Sequence, residues 1–307
     1  MRNILIIGGC GYIGSNIVKK LISNNYKPII LDIKNYSGIF SDEIKIIKGD
    51  FQDDLILKNI LKKYNIEIVI HLISSILPGA NSKDGFDSIN KDILPTANLL
   101  KVMYEEGVQN IVFFSSGGAV YGNNGKTINN ENDNTNPIDF YGWSKLSIEK
   151  FIKMFCYLNK MNYLIIRPSN SFGYNTNLFA KQGLIPVALG KIIKKEPIEI
   201  WGNGEVIRDY IFIDDIAYAI GELLIKNVWN HTFNLGSGIG YSIIEVLEII
   251  QLVTNKRLIK NFLPGRLSDI PVNVLDIKYL QSCINFNDIT SIETGIKKFW
   301  ETINEKK

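Results

Sequence analysis

The sequence predicts an α/β protein: a doubly wound parallel sheet followed by a smaller α/β lobe. Three observations carry this. Short apolar runs rich in β-branched residues recur through the first half: "NILIIG", "KPIILD", "IKIIKG", "IEIVIHL", "NIVFFSS" and "NYLIIRP". They are continuous rather than alternating, as in strands buried on both faces. Residues 14–24, 53–64, 92–106 and 144–160 space their apolar positions like helices, and helical crossovers make the strands parallel. A glycine-rich turn joins the first run to the first helical segment. After "RPSNSFG" the rhythm breaks. Residues 171–210 are richer in Gly, Pro and Asn, with one helical stretch near 183–195. "DYIFIDDIAYAIGELLI" then reads as strand and helix, "HTFNLGS" as a strand, and 242–254 and 290–303 as helices. Residues 1–170 are therefore expected to form one unit, joined by a return segment near 211–236, and residues 171–307 a second lobe.

Composition narrows the function classes. A chain of 307 residues, 46% of them hydrophobic, can bury a large core. A net charge of +3, with lysines scattered over apparent helix faces, leaves no basic tract for nucleic acid. No apolar run reaches the length of a membrane span. Neither nucleic acid nor a membrane is expected as a partner. Cys10, Cys156 and Cys283 lie far apart, and the two histidines form no cluster with them. No metal and no disulfide framework are expected, and a reduced, cytoplasmic setting is. The apolar run of "MRNILIIGG" is too short for a secretory leader and reads as a first strand.

"ILIIGGCGYIGSNIVKKL" places Gly9, Gly11 and Gly14 as G-x-G-x-x-G, and Gly8, Gly11 and Gly14 as G-x-x-G-x-x-G. The glycines permit a tight turn, close approach of a pyrophosphate and close packing of helix on strand. The helix N-terminus then offers free N–H groups and partial positive charge. A ligand-free glycine turn is the plainer reading of the motif alone. Asp32, at the end of "KPIILD", shifts the balance. A carboxylate there accepts hydrogen bonds from a ribose 2′-hydroxyl and repels a 2′-phosphate, which favours NAD over NADP. Asp50 and Phe51 end the third apolar run, and His71 and Ser74 the fourth, at the strand ends where such sheets bind ligands. Asp50 reads equally well as a helix N-cap, and His71 better as a core histidine than as a catalytic one.

"FFSSGGAVYG", Phe113 to Gly122, ends an apolar run in two serines and two glycines, and "YGWSK", Tyr141 to Lys145, follows. Tyr141 and Lys145 are four apart, so one helix face can hold both. A phenol is a poor base at neutral pH. A nearby ammonium stabilises the phenolate and makes the pair fit to deprotonate a hydroxyl. A surface tyrosine beside a solvated lysine would be the plainer reading without the glycine loop.

With these residues, and with "GDFQD", "HLIS", "RPSNSFG", "QGLIP", "EIWGNGEVIRDYIFIDD", "NLGSG" and "LPGRLSDIPV", the chain resembles the extended short-chain dehydrogenase/reductases of the nucleotide-sugar epimerase/dehydratase group. The resemblance covers nearly the full length. Within the group it is most similar to the UDP-glucose and UDP-N-acetylglucosamine 4-epimerases of surface-polysaccharide pathways. It implies an NAD-binding Rossmann domain with a smaller C-terminal nucleotide-sugar-binding domain, and a homodimer formed through segments 92–106 and 144–160. Phe151, Ile152, Phe155 and Leu158 suit that interface. Tyr141, Lys145 and Ser116 are implied as catalytic. For the cofactor it implies Gly8, Gly11, Tyr12, Ile13 and Gly14 of the loop, and Asp32, Asp50 and Phe51. Leu72, Ser74, Ser115 and Pro168 complete that set together with Tyr141 and Lys145. For the nucleotide sugar it implies Ser116, Asn170, Leu184 and Trp201, then Arg208, Arg266, Asp269 and Asn273. The two arginines suit a diphosphate, because a guanidinium presents a planar fork to its oxygens.

The family mechanism implies that Tyr141 takes the proton of the sugar 4-hydroxyl as hydride leaves C4. The 4-keto sugar then turns over and receives both back, inverting C4. The chain departs from the family at three places. Gly117 stands where many members carry Ser or Thr to hydrogen-bond the reacting hydroxyl, which leaves Ser116, or else Ser115, as substitute. Gly118 and Ala119 stand where dehydratases carry an Asp-Glu pair, which rejects 4,6-dehydration. Asp92 and Pro95 replace the Asn and Gly of a cofactor-side "N-x-x-G-T". Asn273 occupies a position that some epimerases fill with Tyr, so an N-acetyl group is expected to fit. The runner-up reading is an NAD(P)H-dependent 4-keto-reductase, or a C4 dehydrogenase, on a dTDP- or GDP-linked sugar. A non-catalytic nucleotide-binding protein is the third.

Overall fold

In the computed structural model, which describes residues 1–34, 40, 44–80, 82–180, 182–265 and 270–305, the apolar runs form one parallel sheet. From the N-terminus, β1 (Asn3–Ile7) passes through the glycine turn into α1 (Tyr12–Ser23) and returns as β2 (Lys27–Asp32) and β3 (Lys45–Lys48). Then α2 (Asp54–Lys63) leads to β4 (Ile68–His71). Next come α3 (Ser82–Ser88), a π-helical turn (Ile89–Ile93), α4 (Leu94–Glu105) and β5 (Asn110–Phe114). A short β6 (Ile128–Asn129) precedes α5 (Phe140–Asn159), β7 (Asn162–Pro168) and β8 (Asn170–Phe172). The second half runs α6 (Leu184–Lys194), β9 (Ile198–Trp201), β10 (Ile207–Phe212), α7 (Ile213–Ile225) and β11 (His231–Leu235). It ends with β12 (Gly240–Ser242), α8 (Ile243–Thr254), β13 (Lys260–Leu263), β14 (Val272–Leu275), α9 (Lys278–Cys283) and α10 (Ile292–Glu305).

The large sheet has the order β11-β7-β5-β4-β1-β2-β3, all parallel. Its order reverses between β1 and β4, where open α/β sheets leave a crevice at the strands' carboxyl ends. The strands alternate between two cores. Ile4 and Ile6 of β1 face one side, with Ile17 and Leu21 of α1. Leu5 and Ile7 face the other, with Leu99 of α4 and Ile148 of α5. This two-sided burial is why no polar residue interrupts the run. β10 organises a second sheet, β12-β10-β14-β6, and its far end pairs with β8. The chain crosses between the sheets repeatedly: β11 joins the large one, whereas β6, which lies before residue 170, pairs with β14.

Two helices differ from their sequence patterns. The helical stretch expected from 92 begins ten residues earlier, with the π turn inside it. Pro95 has no N–H for the carbonyl four residues back, and the ladder slips so that the Leu94 N–H donates to Ile89 O. The helix expected from 144 begins at Phe140, because the Asp139 carboxylate caps it, accepting from the Gly142 N–H at 2.8 Å. Tyr141 therefore sits in the first turn and Lys145 one turn on.

Candidate active site

At the carboxyl edge of the sheet, Gly8 takes φ +81°, a left-handed conformation that favours glycine, and its carbonyl accepts from the Gly11 N–H. A Cβ on Gly14 would lie 2.6 Å from the Gly9 Cα, so the start of α1 presses directly on the turn. Gly11 offers no side chain to cap α1, which leaves the first-turn N–H groups of Tyr12 and Ile13 facing out of the helix end. The Tyr12 phenol itself turns toward Ser171 and Thr176, and burial pushes its pKa up. Asp32 stands beside the turn, accepting from Cys10 N–H at 3.1 Å and Lys34 N–H at 3.0 Å. An uncapped helix start, a turn with no room for side chains, and a carboxylate at the next strand end suit a dinucleotide.

The other strand ends are less uniform. Asp50 accepts from the Gln52 N–H, and the cap of α2 is Asp53 instead, so the N-cap alternative for Asp50 falls. Phe51 is buried against His71, with ring centroids 5.1 Å apart. His71 is fully buried and bonded through Nε2 to Thr96 Oγ1 at 2.9 Å. Burial first, and Lys145 second, hold its pKa down at about 3, so it is a neutral core residue. Leu72 continues the backbone ladder from β4, and the Ser74 hydroxyl donates to Ile76 O. Pro168 ends β7, and its carbonyl accepts from the Gly117 N–H.

Lys145 bridges two strand ends. Its ammonium, on a side chain only 4% exposed, donates to Phe114 O at 3.1 Å and Ile73 O at 3.3 Å, over the Phe113 ring. Burial lowers its pKa to about 8, while Asp92 and Glu149 pull it back up. Nζ lies 6.0 Å from the Tyr141 ring centre. Burial raises the phenol's pKa, and the Ser116 hydroxyl beside it lowers it. The two serines are thus separated: Ser116 lies beside Tyr141 and lines a cleft of about 560 Å³, whereas Ser115 is buried with no partner for its hydroxyl among the described residues. Gly117 has no space for the missing hydroxyl, since a Cβ there would lie 2.6 Å from Leu275 Cδ1 and 2.9 Å from Arg167 O.

The cleft lies between the two sheets. Asn170 and Arg208 line it beside Ser116, Gly118 and Ala119. Asn170 donates to Asp209 O, and Arg208 Nη1 to the carbonyls of Ile207 and Ile270. Leu184 opens α6 next to Gly183 of the cleft wall. Trp201 ends β9, 37% exposed, and is not among the described residues lining the cleft. Arg266 and Asp269 fall outside the described residues. Asn273 corrects its expectation of a sugar contact. It is buried, and its amide is committed to the carbonyls of Gly117 and Gly118 and to Asn129 rather than to the cleft. Ile152, expected on a subunit interface, is likewise 0% exposed and packs inside its own chain.

One group escaped the sequence reading. Asp139, besides capping α5, accepts from the Gly79 N–H at 2.7 Å, holding one rim of the cleft. An Asp just before a helix start was the available signal. Asp92, which the sequence marked as standing in for a family Asn, projects from the π turn, takes three hydrogen bonds from Ser75 and is pushed up in pKa by burial.

The sequence pattern of the NAD dependent epimerase/dehydratase family matches residues 4–236. The UDP-glucose 4-epimerase of Halalkalibacterium halodurans is 32% identical, over 97% of this chain and 94% of that protein. The dTDP-4-dehydro-6-deoxyglucose reductase of Escherichia coli is 29% identical, over 99% and 98%. The solved UDP-N-acetylglucosamine 4-epimerase of Methanobrevibacter ruminantium, in complex with UDP-N-acetylmuramic acid, superposes with a TM-score of 0.88. It is 27% identical, over 100% of this chain and 99% of that one.

Proposed function

The chain belongs to the NAD dependent epimerase/dehydratase family, and from that membership we propose that it inverts C4 of a UDP-linked hexose through a transient 4-keto sugar. The observation that carries the reading is Tyr141, with Lys145 near its ring and Ser116 beside its phenol, where Ser116 also lines a cleft together with Arg208 and Asn170. The glycine turn, the α1 start and Asp32 would hold NAD, which would supply hydride-transfer chemistry at C4. The chain's residues do the rest. Lys145 holds positive charge near the phenol, which favours the phenolate. Tyr141 takes the 4-hydroxyl proton and later gives it back, and Ser116 orients that hydroxyl. Arg208 and Asn170 grip the diphosphate, which leaves the sugar free to present its other face. Gly118 and Ala119 offer no acid or base, which argues against elimination of water.

The pairs favoured are UDP-glucose/UDP-galactose and the corresponding N-acetylated sugars. Support for the latter is the small Gly118 on the cleft wall and not Asn273. A cytoplasmic homodimer serving surface-polysaccharide synthesis completes the proposal. Tyr104, Met154, Tyr157 and Leu158 leave an exposed apolar face on α4 and α5 for the partner copy. One alternative has a specific observation behind it: the likeness to a 4-keto-sugar reductase, coupled with Gly117. One experiment separates them. Protein as purified should release stoichiometric NAD on denaturation and convert UDP-glucose to UDP-galactose without added cofactor. Consumption of added NADH or NADPH with a dTDP-4-keto-6-deoxy sugar, and no C4 inversion, would mean a reductase.

A further inference from the structure

A buried hydrogen-bond network runs behind the Ser116 turn. Glu149, one turn beyond Lys145 on α5, takes Arg167 in a two-point ion pair, Nε to Oε1 at 3.0 Å and Nη2 to Oε2 at 2.7 Å. Arg167 Nη1 donates to the Tyr121 hydroxyl, which donates to Asn234 Oδ1 at 2.6 Å. Asn234 Nδ2 donates to Asn129 O, and Asn129 Nδ2 to Asn273 Oδ1 at 3.1 Å. Asn273 closes the path, its Nδ2 donating to Gly117 O and Gly118 O, each at 3.2 Å. All six side chains belong to buried residues. The two loop carbonyls accept only, so they decide which way round the Asn273 amide sits. Both its N–H groups are then used on the residues that follow Ser116.

Asn273 also has a second neighbour of consequence. It is the register partner of Arg208 across the β10–β14 pair. The strand that places Arg208 in the cleft is thus paired with the strand that grips the turn.

We infer that Asn273 is a positioning residue: by holding the Gly117 and Gly118 carbonyls it keeps the Ser116 hydroxyl against the Tyr141 phenol, and it ties that alignment to the strand bearing Arg208. This rests on the proposed roles of Ser116 and Tyr141. Misplacement by about 1 Å at a reacting group can slow chemistry by up to about 100-fold, so the clamp acts on turnover more than on binding. An aspartate at 273 keeps the shape but sets carboxylate oxygens against two carbonyl oxygens.

The test combines kinetics with hydrogen exchange on the full chain. Asn273→Asp, and Asn273→Ala in case the charge prevents folding, should lower kcat about tenfold with KM for UDP-glucose within about twofold. Amide exchange in residues 113–122 should quicken, while exchange in the glycine loop stays unchanged. In a Ser116→Ala background the same substitution should slow turnover little further, because both changes act through one hydroxyl. Wild-type kcat in a folded Asn273 variant, losses that multiply with Ser116→Ala, or unchanged exchange at 113–122 would each overturn the inference. If the wild-type protein fails to invert UDP-sugars, the catalytic reading falls, and exchange at 113–122 still decides whether Asn273 holds the turn.

Discussion

Gly117 shows how one residue can be misjudged from sequence. As a letter it is a missing hydroxyl. In the fold it is a contact point, with a Cβ position already occupied by Leu275 and the Arg167 carbonyl. Gly117→Ser should therefore fail as a repair. Overpacking of this kind costs about 1–3 kcal/mol, to be read as a lower denaturant midpoint at unchanged m-value, with no gain in kcat. Asn273 is the converse case. The family resemblance implied a sugar contact for it, and its hydrogen bonds go to the loop. Tyr141, Lys145 and Asp32 were legible because their chemistry is local: a four-residue helical spacing and a strand end carry most of the information.

Among the elements, α5 does the most for the site. It carries Tyr141, Lys145 and Glu149 on successive turns, with Lys145 on the Ile73 and Phe114 carbonyls and Glu149 on Arg167. Its start is set by Asp139, which also holds Gly79 at the cleft rim. Asp139→Ala should remove about 1 kcal/mol of stability through the lost cap, measured by urea unfolding. It should also raise KM for the nucleotide sugar more than it lowers kcat, because the rim loosens while Tyr141 and Lys145 stay in the helix. The π turn before α4 has a cause that is readable afterwards, in Pro95, yet the sequence pattern across 92–106 hides it. A proline's missing N–H can end, kink or widen a helix, and surrounding packing chooses among them.

At the scale of the molecule, two sheets meet at a cleft, and an apolar face on α4 and α5 lies away from it. If that face joins two copies, sedimentation should give twice the chain mass, and Leu158→Arg together with Tyr157→Glu should give the single chain with its NAD still bound. Both side chains are largely exposed, at 68% and 81%, so the folded single chain should tolerate the changes. The sequence by itself determined the parallel sheet, the glycine turn, Asp32 and the Tyr141–Lys145 pair. Each depends on periodicity or on neighbours within a few residues, which a linear pattern records. Only the tertiary structure decided that Ser116 and not Ser115 meets Tyr141, that β6 crosses to β14, and that Asn273 grips the turn. These are contacts between segments far apart in the chain, set by which side chains fit the space that folding leaves, and no local spacing encodes that space.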